Sequence, residues 1–370
     1  MKRINSLLIS IVLFTVIFVI SCKKETTYDP NQPLIDQMKS VTDSIIKNTH
    51  VPGVVALVVD HKLGINWMYT AGVSDIPNKL PMNGNYIFRI GSNTKTMTCT
   101  VLLQLVGERK IALNDKLSKY FHGYPKSDSI TISMLANMTS GIYSYTMDES
   151  WWNALIANPT KFLSPLDLVN AGFAHEFDFQ PGAGWAYSNT NTIILGQIIE
   201  KITGNTLETE ISNRIVKPLK LSSTGFQTSG LTFPGPHARG YYFGEYVEGK
   251  DYTETFDISW GWAAGSAYST PRELQKYVEA LVGGGLLPDS LQNRRLNDMI
   301  NIRANTSYGL GLARRGTFYG HNGSLMGYTS SMYHSNERDC TIIIYFNSML
   351  EIVPDFLFFR YANILYGNNY

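Results

Sequence analysis

Strand-like segments lie towards both ends of this 370-residue chain, and the long portion between them has a mostly helical pattern. Near the start, the β-branched run 54–59 and the segment 65–69 flank a polar turn, which predicts a hairpin. After Ser307 the spacing of apolar residues changes, and four further strands are predicted at 308–313, 317–319, 328–333 and 341–346. Because helices and strands in this order must share one core, the sequence predicts an antiparallel sheet completed by distant pieces of chain.

Helices are predicted before the first strand, after the last strand and through the middle. Apolar residues recur at helical spacing from Leu34 to Ile46, and a closing helix is predicted over 353–366. The segment 270–273, Thr-Pro-Arg-Glu, predicts the start of a helix, with threonine as the cap, proline at the first helical position and glutamate at the third. We therefore expect an α/β (α+β) fold, in which an antiparallel β-sheet is flanked by terminal helices and carries an inserted, mainly helical lobe. The expected sheet lobe covers about 34–110 and 305–370, and the expected helical lobe covers about 111–304.

The first 33 residues have a different character from the rest. Lys2 and Arg3 precede an apolar stretch of about 14 residues, which is typical of a signal peptide and shorter than the roughly 20 residues that span a bilayer. The stretch ends at Val-Ile-Ser-Cys, which resembles a bacterial lipobox, so we predict a signal peptide at 1–21, lipidation of Cys22 and a polar tether at 22–33. A plain cleaved signal and an uncut anchor are the alternatives. The expected product is an exported bacterial lipoprotein, anchored to a membrane and facing the periplasm or the cell surface.

Charge and motif content exclude several classes of protein. The chain has 31 Lys and Arg against 30 Asp and Glu, with no extended basic cluster, so nucleic-acid binding is not expected. His-Glu-x-x-His, paired-cysteine ligand motifs and Gly-x-Ser-x-Gly do not occur in the sequence. Cys99 and Cys340 could pair or could simply be buried, and their apolar surroundings favour burial. We expect a monomer.

The segment 91–95, Gly-Ser-Asn-Thr-Lys, lies between a short apolar run and a helix-like run from Thr96 to Val106. Ser92 at the start of a helix would have free backbone N–H groups and the positive end of the helix dipole beside it. Lys95, one turn later, shares its face and could take its proton if burial or nearby positive charge kept the amine neutral. The alternative is an ordinary serine cap followed by a surface lysine. Ser-x-x-Lys also occurs at 21–24 and 44–47, so the spacing alone decides nothing.

Two further motifs could supply partners for Ser92. Tyr187-Ser188-Asn189 follows a Gly-rich loop, and there Tyr187 could move a proton to a leaving group while Asn189 held a substrate carbonyl or oriented Lys95. The segment 321–324, His-Asn-Gly-Ser, opens a strand, with Gly323 at a position where the backbone of a ligand could approach closely. Taken alone, each motif is weak, and a lone histidine is more often structural than catalytic.

Together, Ser-x-x-Lys, Tyr-x-Asn and His-x-Gly in this order resemble the serine β-lactamase and penicillin-binding protein superfamily. The resemblance is strongest to the class C β-lactamase and D-alanyl-D-alanine carboxypeptidase (S12-like) branch, with its esterase relatives, and it extends from about Leu34 to Tyr366. Further segments support it, at 135–142, 180–182 and 263–270.

The resemblance implies a β-lactamase/transpeptidase-like fold and a role for each matching residue. Ser92 would be the acyl-enzyme nucleophile, Lys95 its base partner and Tyr187 the proton shuttle. Substrate and oxyanion contacts are implied for a second group of residues, namely Asn189, His321, Asn322, Gly323 and Ser324. Backbone N–H groups of Ser92 and Ser324 would form the oxyanion hole. The resemblance implies no metal and no organic cofactor.

One departure bears on the substrate, because many β-lactamases have Lys-Thr-Gly where this chain has His321-Asn322-Gly323. An imidazole titrates near neutrality, so we expect substrates with a carboxylate to bind better below about pH 6.5. The expected function is that of an exported serine hydrolase acting on a β-lactam, a D-Ala-D-Ala peptide, a D-amino-acid amide or a small ester, some of them cell-wall derived. The alternative is a penicillin-binding sensor or scaffold that acylates with little or no turnover.

Overall fold

A computed structural model describes residues 29–244, 249–349, 354–368 and 370. The predicted signal peptide at 1–21, Cys22 and most of the tether lie outside the described residues. The first helix begins at Gln32, two residues before the predicted start, with Pro33 in its first turn. Proline suits this position because its missing N–H would have had no partner inside the helix.

The helices and strands of the described residues are numbered in chain order. The α-helices are α1 (Gln32–Asn48), α2 (Thr94–Gly107), α3 (Ile132–Ala136), α4 (Glu149–Ala157), α5 (Pro165–Phe173), α6 (Asn189–Thr203), α7 (Leu207–Ile211), α8 (Trp262–Gly265), α9 (Pro271–Gly283), α10 (Asp289–Asn297) and α11 (Asp355–Tyr366). Short 3₁₀ helices occur at Gly91–Asn93, Leu117–Lys119, Tyr145–Met147 and Ile258–Trp260, and a π-helical turn occurs at Ser212–Val216.

The strands are β1 (Gly53–Asp60), β2 (Ile65–Asp75), β3 (Leu80–Pro81), β4 (Phe88–Arg89), β5 (Gly225–Phe226), β6 (Tyr241–Tyr242), β7 (Lys250–Asp251), β8 (Ala267–Ser269), β9 (Ile300–Arg303), β10 (Thr306–Gly309), β11 (Leu312–Arg315), β12 (Phe318–Leu325), β13 (Tyr328–Ser335), β14 (Cys340–Phe346) and β15 (Ser348–Met349).

The main sheet has nine strands in the order β3-β2-β1-β14-β13-β12-β11-β10-β9, and every neighbouring pair in it is antiparallel. Its N-terminal and C-terminal parts join where β1 pairs with β14, for example Val54 opposite Phe346. Both strands are buried along their whole length, as expected for the centre of a sheet covered on both faces. The predicted mixed fold, with a sheet completed by distant pieces, is confirmed.

The predicted strand over 308–313 is wrong, because the chain turns back in its middle to form β10 and β11. Leu310 and Gly311 have φ values of +47° and +76°, which end one strand and begin the next. A Cβ atom at Gly311 would lie 2.4 Å from the Sγ atom of Cys99, so this turn packs directly against α2. The next predicted strand, 317–319, is only the start of β12, which continues to Leu325 and carries the His321 motif.

Helices cover both faces of the sheet. On one face α1 and α11 pack together, and the Thr42 and Tyr361 hydroxyl groups share a buried hydrogen bond between them. On the other face, α2 and α9 join the larger hydrophobic core. Each fully buried Leu, Ile or Phe side chain in these layers contributes roughly 1.5–3 kcal/mol to folding. Cys99 and Cys340 are free and buried in these cores, which confirms the expected burial.

Helix α6 is the central helix of the helical portion, and it begins immediately after Tyr187-Ser188. Its apolar residues are fully buried on several sides, and it ends at Gly204, whose φ of +72° suits a left-handed cap. The predicted start of α9 is confirmed, since the Thr270 side chain accepts a hydrogen bond from the Glu273 N–H. Within the described part of the chain, no helix combines the length and apolar character needed to cross a bilayer.

Candidate active site

Ser92 lies on a tight turn between β4 and α2. The preceding Gly91 has a φ of +52°, and a Cβ atom there would lie 2.7 Å from the backbone nitrogen of Ser324 on β12. Only glycine allows this approach without strain. The turn leaves Ser92 partly exposed, whereas Asn93, Thr94 and Lys95 are buried. The predicted placement of Ser92 at a helix start is therefore correct.

Buried hydrogen bonds hold this turn on two sides. The side-chain amide of Asn93 donates to Ser330 Oγ on β13 at 2.8 Å and to the Ile90 carbonyl at 3.0 Å. On the other side, the Thr94 hydroxyl accepts from the Ala267 N–H at 3.0 Å. Each such bond contributes about 1 kcal/mol, and together they restrict where the Ser92 hydroxyl can point.

Lys95 is fully buried, and its Nζ atom lies 3.0 Å from Ser92 Oγ and 2.8 Å from the Ala264 carbonyl. Burial lowers the pKa of Lys95 to about 7 because the charged amine loses its hydration. The neutral amine is therefore far more populated near pH 7 than it is for a lysine in water. This geometry excludes the surface-lysine alternative and places a proton acceptor beside the serine.

The other Ser-x-x-Lys match within the described residues lacks these features, because Ser44 and Lys47 are both exposed on α1. The match at 21–24 lies outside the described residues. The burial of Lys95 therefore separates the segment 91–95 from the match at 44–47.

Tyr187 approaches the same pair of residues. The Lys95 Nζ atom lies 4.9 Å from the centre of its ring. Burial raises the pKa of the Tyr187 phenol, and an interaction with the Ser92 side chain offsets part of that rise. Among the described residues, the phenol oxygen makes no hydrogen bond of ordinary geometry. The structure thus brings together the three residues predicted to act on a substrate.

Asn189 is held next to this group by the helical portion of the chain. Its side-chain amide donates to Thr146 Oγ1 at 2.7 Å, and its N–H donates to Ser144 Oγ at 3.1 Å. These bonds fix the first turn of α6, on which Asn189 lies. One N–H of the amide is thereby used by Thr146, and Lys95 donates to the Ala264 carbonyl and not to Asn189.

His321 is buried on β12 with only 2% of its surface exposed. Its Nε2 atom lies 3.2 Å from the Tyr308 hydroxyl, and Nδ1 contacts the backbone carbonyl of Asn322. Burial, with the nearby charge of Lys95, lowers the pKa of His321 to about 3. The expectation of an imidazole that titrates near pH 6.5 and attracts carboxylates is therefore wrong, because the buried ring stays neutral.

The rest of the motif on β12 has structural contacts that the sequence did not indicate. Asn322 donates to the buried Asp355 carboxylate at the start of α11, at 3.0 Å. A Cβ atom at Gly323 would lie 1.9 Å from the Ile90 carbonyl, so the close approach predicted for a ligand is made by the chain itself. Ser324 is exposed, and its backbone nitrogen lies beside Gly91. The backbone nitrogens expected to form the oxyanion hole, those of Ser92 and Ser324, therefore belong to segments that pack directly against each other.

A cavity of about 260 Å³ adjoins the pair Tyr187 and His321. Trp185 and Tyr308 complete its aromatic walls, and the Tyr187 and Tyr308 rings meet edge to face with centres 6.0 Å apart. The site therefore has an accessible serine, a buried base and a neighbouring space for part of a ligand.

Comparison with known proteins agrees with this geometry. The Beta-lactamase family model matches residues 37–361, which is most of the chain. The chain belongs to the Beta-lactamase family. This membership confirms the predicted superfamily and the serine hydrolase class.

Several solved structures and curated proteins are similar to this chain. A D-stereospecific amidohydrolase from Streptomyces sp. is 33% identical with a TM-score of 0.77, over 85% of this chain and 94% of that one. D-amino acid amidase from Ochrobactrum anthropi SV3, complexed with D-phenylalanine, is 26% identical with a TM-score of 0.80, over 90% and 99% of the two chains. Teichoic acid D-alanine hydrolase from Staphylococcus aureus is 26% identical over 296 residues, 80% of this chain and 70% of that protein. Protein flp from Staphylococcus aureus is 30% identical over 197 residues, so the matched part is only 38% of that relative.

Two contributions to this Beta-lactamase family site were missed in the sequence. The Ala264 carbonyl anchors Lys95, and the segment around it was noted only as a stretch similar to the family. Because every residue has a backbone carbonyl, the sequence does not indicate which carbonyl binds Lys95. Trp185, two residues before Tyr187, also lines the cavity. Its indole could have been noticed because alternate residues of an extended segment point to the same side.

Proposed function

We propose that this protein is an exported serine hydrolase that forms a covalent acyl-enzyme through Ser92 and acts on an amide or an ester. The observation that carries the proposal is the buried Lys95 amine, 3.0 Å from Ser92 Oγ, with a pKa of about 7. A neutral amine at this distance can accept the serine proton as the oxygen attacks a carbonyl carbon.

The reaction then follows from the positions of the groups. Ser92 Oγ bonds to the carbonyl carbon, its proton passes to Lys95, and the carbonyl oxygen becomes an oxyanion facing the N–H groups of Ser92 and Ser324. As the bond to the leaving group breaks, Tyr187 supplies a proton to the departing atom and recovers one from Lys95. Water attacks the resulting ester, which releases the acid and restores the Ser92 hydroxyl.

The similar proteins favour an amide as substrate. The two structural relatives are named as a D-stereospecific amidohydrolase and a D-amino acid amidase, and one curated relative is named as a teichoic acid D-alanine hydrolase. We infer that D-amino-acid amides or D-alanyl esters are better substrates than β-lactams. The absence of Lys-Thr-Gly and the neutral His321 support this order, because no side chain on this part of β12 supplies a positive charge for a β-lactam carboxylate.

A substrate panel tests this function. We expect hydrolysis of D-phenylalanine amide and of a p-nitrophenyl ester by the wild type, and loss of both activities in Ser92→Ala. Ser44→Ala is a matched control, because it removes the exposed serine of another Ser-x-x-Lys sequence and should leave both rates unchanged. Equal hydrolysis by wild type and Ser92→Ala would remove Ser92 from the mechanism. Fluorescent-penicillin labelling without turnover of any substrate would favour a sensor.

Export and anchoring belong to the same proposal. The lipobox-like sequence before Cys22 supports lipidation of that cysteine and retention at a membrane. We expect the protein to incorporate a labelled fatty acid, and Cys22→Ser to carry no label. A wild type without label, or equal label on both proteins, would contradict lipidation of Cys22.

A further inference from the structure

One buried residue close to the site has an unusual backbone conformation. Trp262, the first residue of α8, has a φ of +27°. Every other non-glycine residue with a positive φ in the described part of the chain lies between +47° and +66°, which is the left-handed helical region. A bulky residue at +27° is strained, because its Cβ atom crowds the backbone. Such strain persists only where the surrounding structure imposes it, and it is concentrated at functional sites.

The packing of the Trp262 ring shows what imposes the strain. Only 3% of the residue is exposed, and its ring lies against Gly196 in the middle of α6. A Cβ atom at Gly196 would lie 2.8 Å from the ring and 2.7 Å from the Ala263 side chain. Glycine is unfavourable inside a helix, so its presence here is explained by this close approach. Because α6 follows Tyr187 directly, the ring joins α8 to the helix that begins at the site.

The residues that follow Trp262 direct their carbonyl groups at α2. The Ala263 carbonyl accepts a hydrogen bond from the Thr98 hydroxyl at 2.8 Å. The Ala264 carbonyl accepts from Lys95 Nζ, also at 2.8 Å. Both side chains of α2 are fully buried, so no water competes with these carbonyls. The backbone direction set at Trp262 therefore decides where the acceptor for Lys95 lies.

The position of this acceptor matters for a lysine that takes a proton. A neutral amine has two N–H groups and one lone pair, and the lone pair must face the hydroxyl that gives up its proton. Lys95 Nζ lies 3.0 Å from Ser92 Oγ. When one N–H is held by the Ala264 carbonyl, the amine can no longer rotate freely, and its lone pair can be directed at Ser92.

We propose that Trp262 is a positioning residue for Lys95, whose strained backbone, held by the packing of its ring on Gly196, turns the Ala264 carbonyl towards the amine. The proposal rests on the proposed function, in which Lys95 accepts the proton of Ser92. Trp262 acts through the Ala264 carbonyl and not by contact with a substrate.

Two substitutions at the same position test the role of the backbone. Trp262→Gly and Trp262→Ala both remove the ring, but only glycine adopts a positive φ without strain, so the Ala264 carbonyl should stay in place in the first variant and move in the second. The protonation of Lys95 is followed by NMR in protein labelled with ¹³C at the lysine Cε atoms, and Lys95→Met identifies its signal. An ammonium group donates more strongly than a neutral amine, so loss of the acceptor favours the neutral form. We expect the acid ionisation constant of Lys95 to rise about tenfold in Trp262→Ala and to stay within about threefold of the wild type in Trp262→Gly.

Arg109 provides the matched control. It has a φ of +58° and is exposed at the other end of α2, so Arg109→Gly and Arg109→Ala make the same comparison away from Lys95, and neither should change its titration. If Trp262→Ala fails to fold, Gly196→Ala decides, because its added Cβ atom would displace the ring while Trp262 is kept, and the titration should shift in the same direction. Equal titration of Lys95 in Trp262→Gly and Trp262→Ala, or no shift in Gly196→Ala, would overturn the proposal.

The NMR titration requires no turnover, so it separates this proposal from the proposed function. The expected difference between the two Trp262 variants, in a protein that hydrolyses no amide or ester, would refute the proposed function and leave the role of Trp262 standing. Hydrolysis that depends on Ser92, with the same Lys95 titration in both variants, would support the proposed function and refute the role of Trp262.

Discussion

Replacing Lys95, the proposed base, should stabilise the protein while it abolishes the proposed activity. Burial moves the pKa of Lys95 from 10.5 to about 7, so holding this side chain in the core costs about 5 kcal/mol at or below about pH 7, relative to a lysine in water. Lys95→Met removes that cost. It also removes the hydrogen bonds to Ser92 and the Ala264 carbonyl, worth about 1 kcal/mol each, and leaves the carbonyl without a donor. The expected net gain is about 2 kcal/mol in the free energy of unfolding at about pH 6.

The dependence of this gain on pH identifies its cause. Between about pH 7 and about pH 10.5, the unfolded chain keeps a proton on Lys95 that the folded protein has lost, so the stability of the wild type rises with pH in this window. Lys95→Met lacks that contribution. The advantage of the variant should therefore shrink by roughly 2–3 kcal/mol between about pH 6 and about pH 9.

Urea unfolding of both proteins at the two pH values measures this change. Groups far from position 95 titrate equally in both proteins and cancel in the difference between them. An advantage for Lys95→Met that is the same at both pH values would refute the reasoning, because it would mean that the buried amine does not change its protonation in this range.

Three further predictions follow from the site. For a neutral substrate, kcat/KM should rise with pH around a midpoint near pH 7, as Lys95 becomes neutral, and a profile flat from about pH 5 to about pH 9 would contradict a lysine base. His321→Gln should leave the pH dependence of kcat/KM unchanged between about pH 5 and about pH 8, because the histidine is already neutral there. If the wild-type profile had a transition near pH 6.5 that the variant lacked, His321 would titrate in this range, and the prediction would be wrong. Gly323→Ala should lower the free energy of unfolding by about 3 kcal/mol or more, because the added Cβ atom would clash with the Ile90 carbonyl. Gly283→Ala on α9 is the control, since the nearest atom is 3.7 Å away, and it should change the free energy of unfolding by less than about 1 kcal/mol. Equal effects of the two substitutions in thermal unfolding would refute this explanation.

The residues that carry chemistry were predictable because their signal lies in spacing and order. Ser92 and Lys95 are one helical turn apart, and Tyr187 precedes a helix, so local sequence alone brings each side chain to the end of an element. The expected order of helices and strands was equally informative. Strands near both ends of the chain share one core if they pair in a single sheet, with the terminal helices packed on it and the middle portion inserted. The structure confirms that architecture.

The electrostatic state of the site was not predictable, because it depends on burial by distant segments. His321 has the same residue type whether it is exposed or covered. Its pKa is lowered by burial, to which Tyr308 and Tyr187 contribute, and by the charge of Lys95, and both causes come from distant segments. The break at Leu310 and Gly311 was missed for a related reason. Its cause is the approach of α2, and no residue of α2 lies near that turn in the sequence.

The pairing of β1 with β14 also has a consequence for how the enzyme acquires activity. The two strands are adjacent at the centre of the sheet, yet Val54 and its partner Phe346 are separated by most of the chain. Such distant pairings are slow to form, because the entropy of closing the long intervening chain opposes them. The turn that carries Ser92 packs against Ser324 on β12, so this contact also requires the C-terminal strands. We therefore expect a chain that ends before β12 to lack one of the two proposed oxyanion donors, and with it the proposed activity.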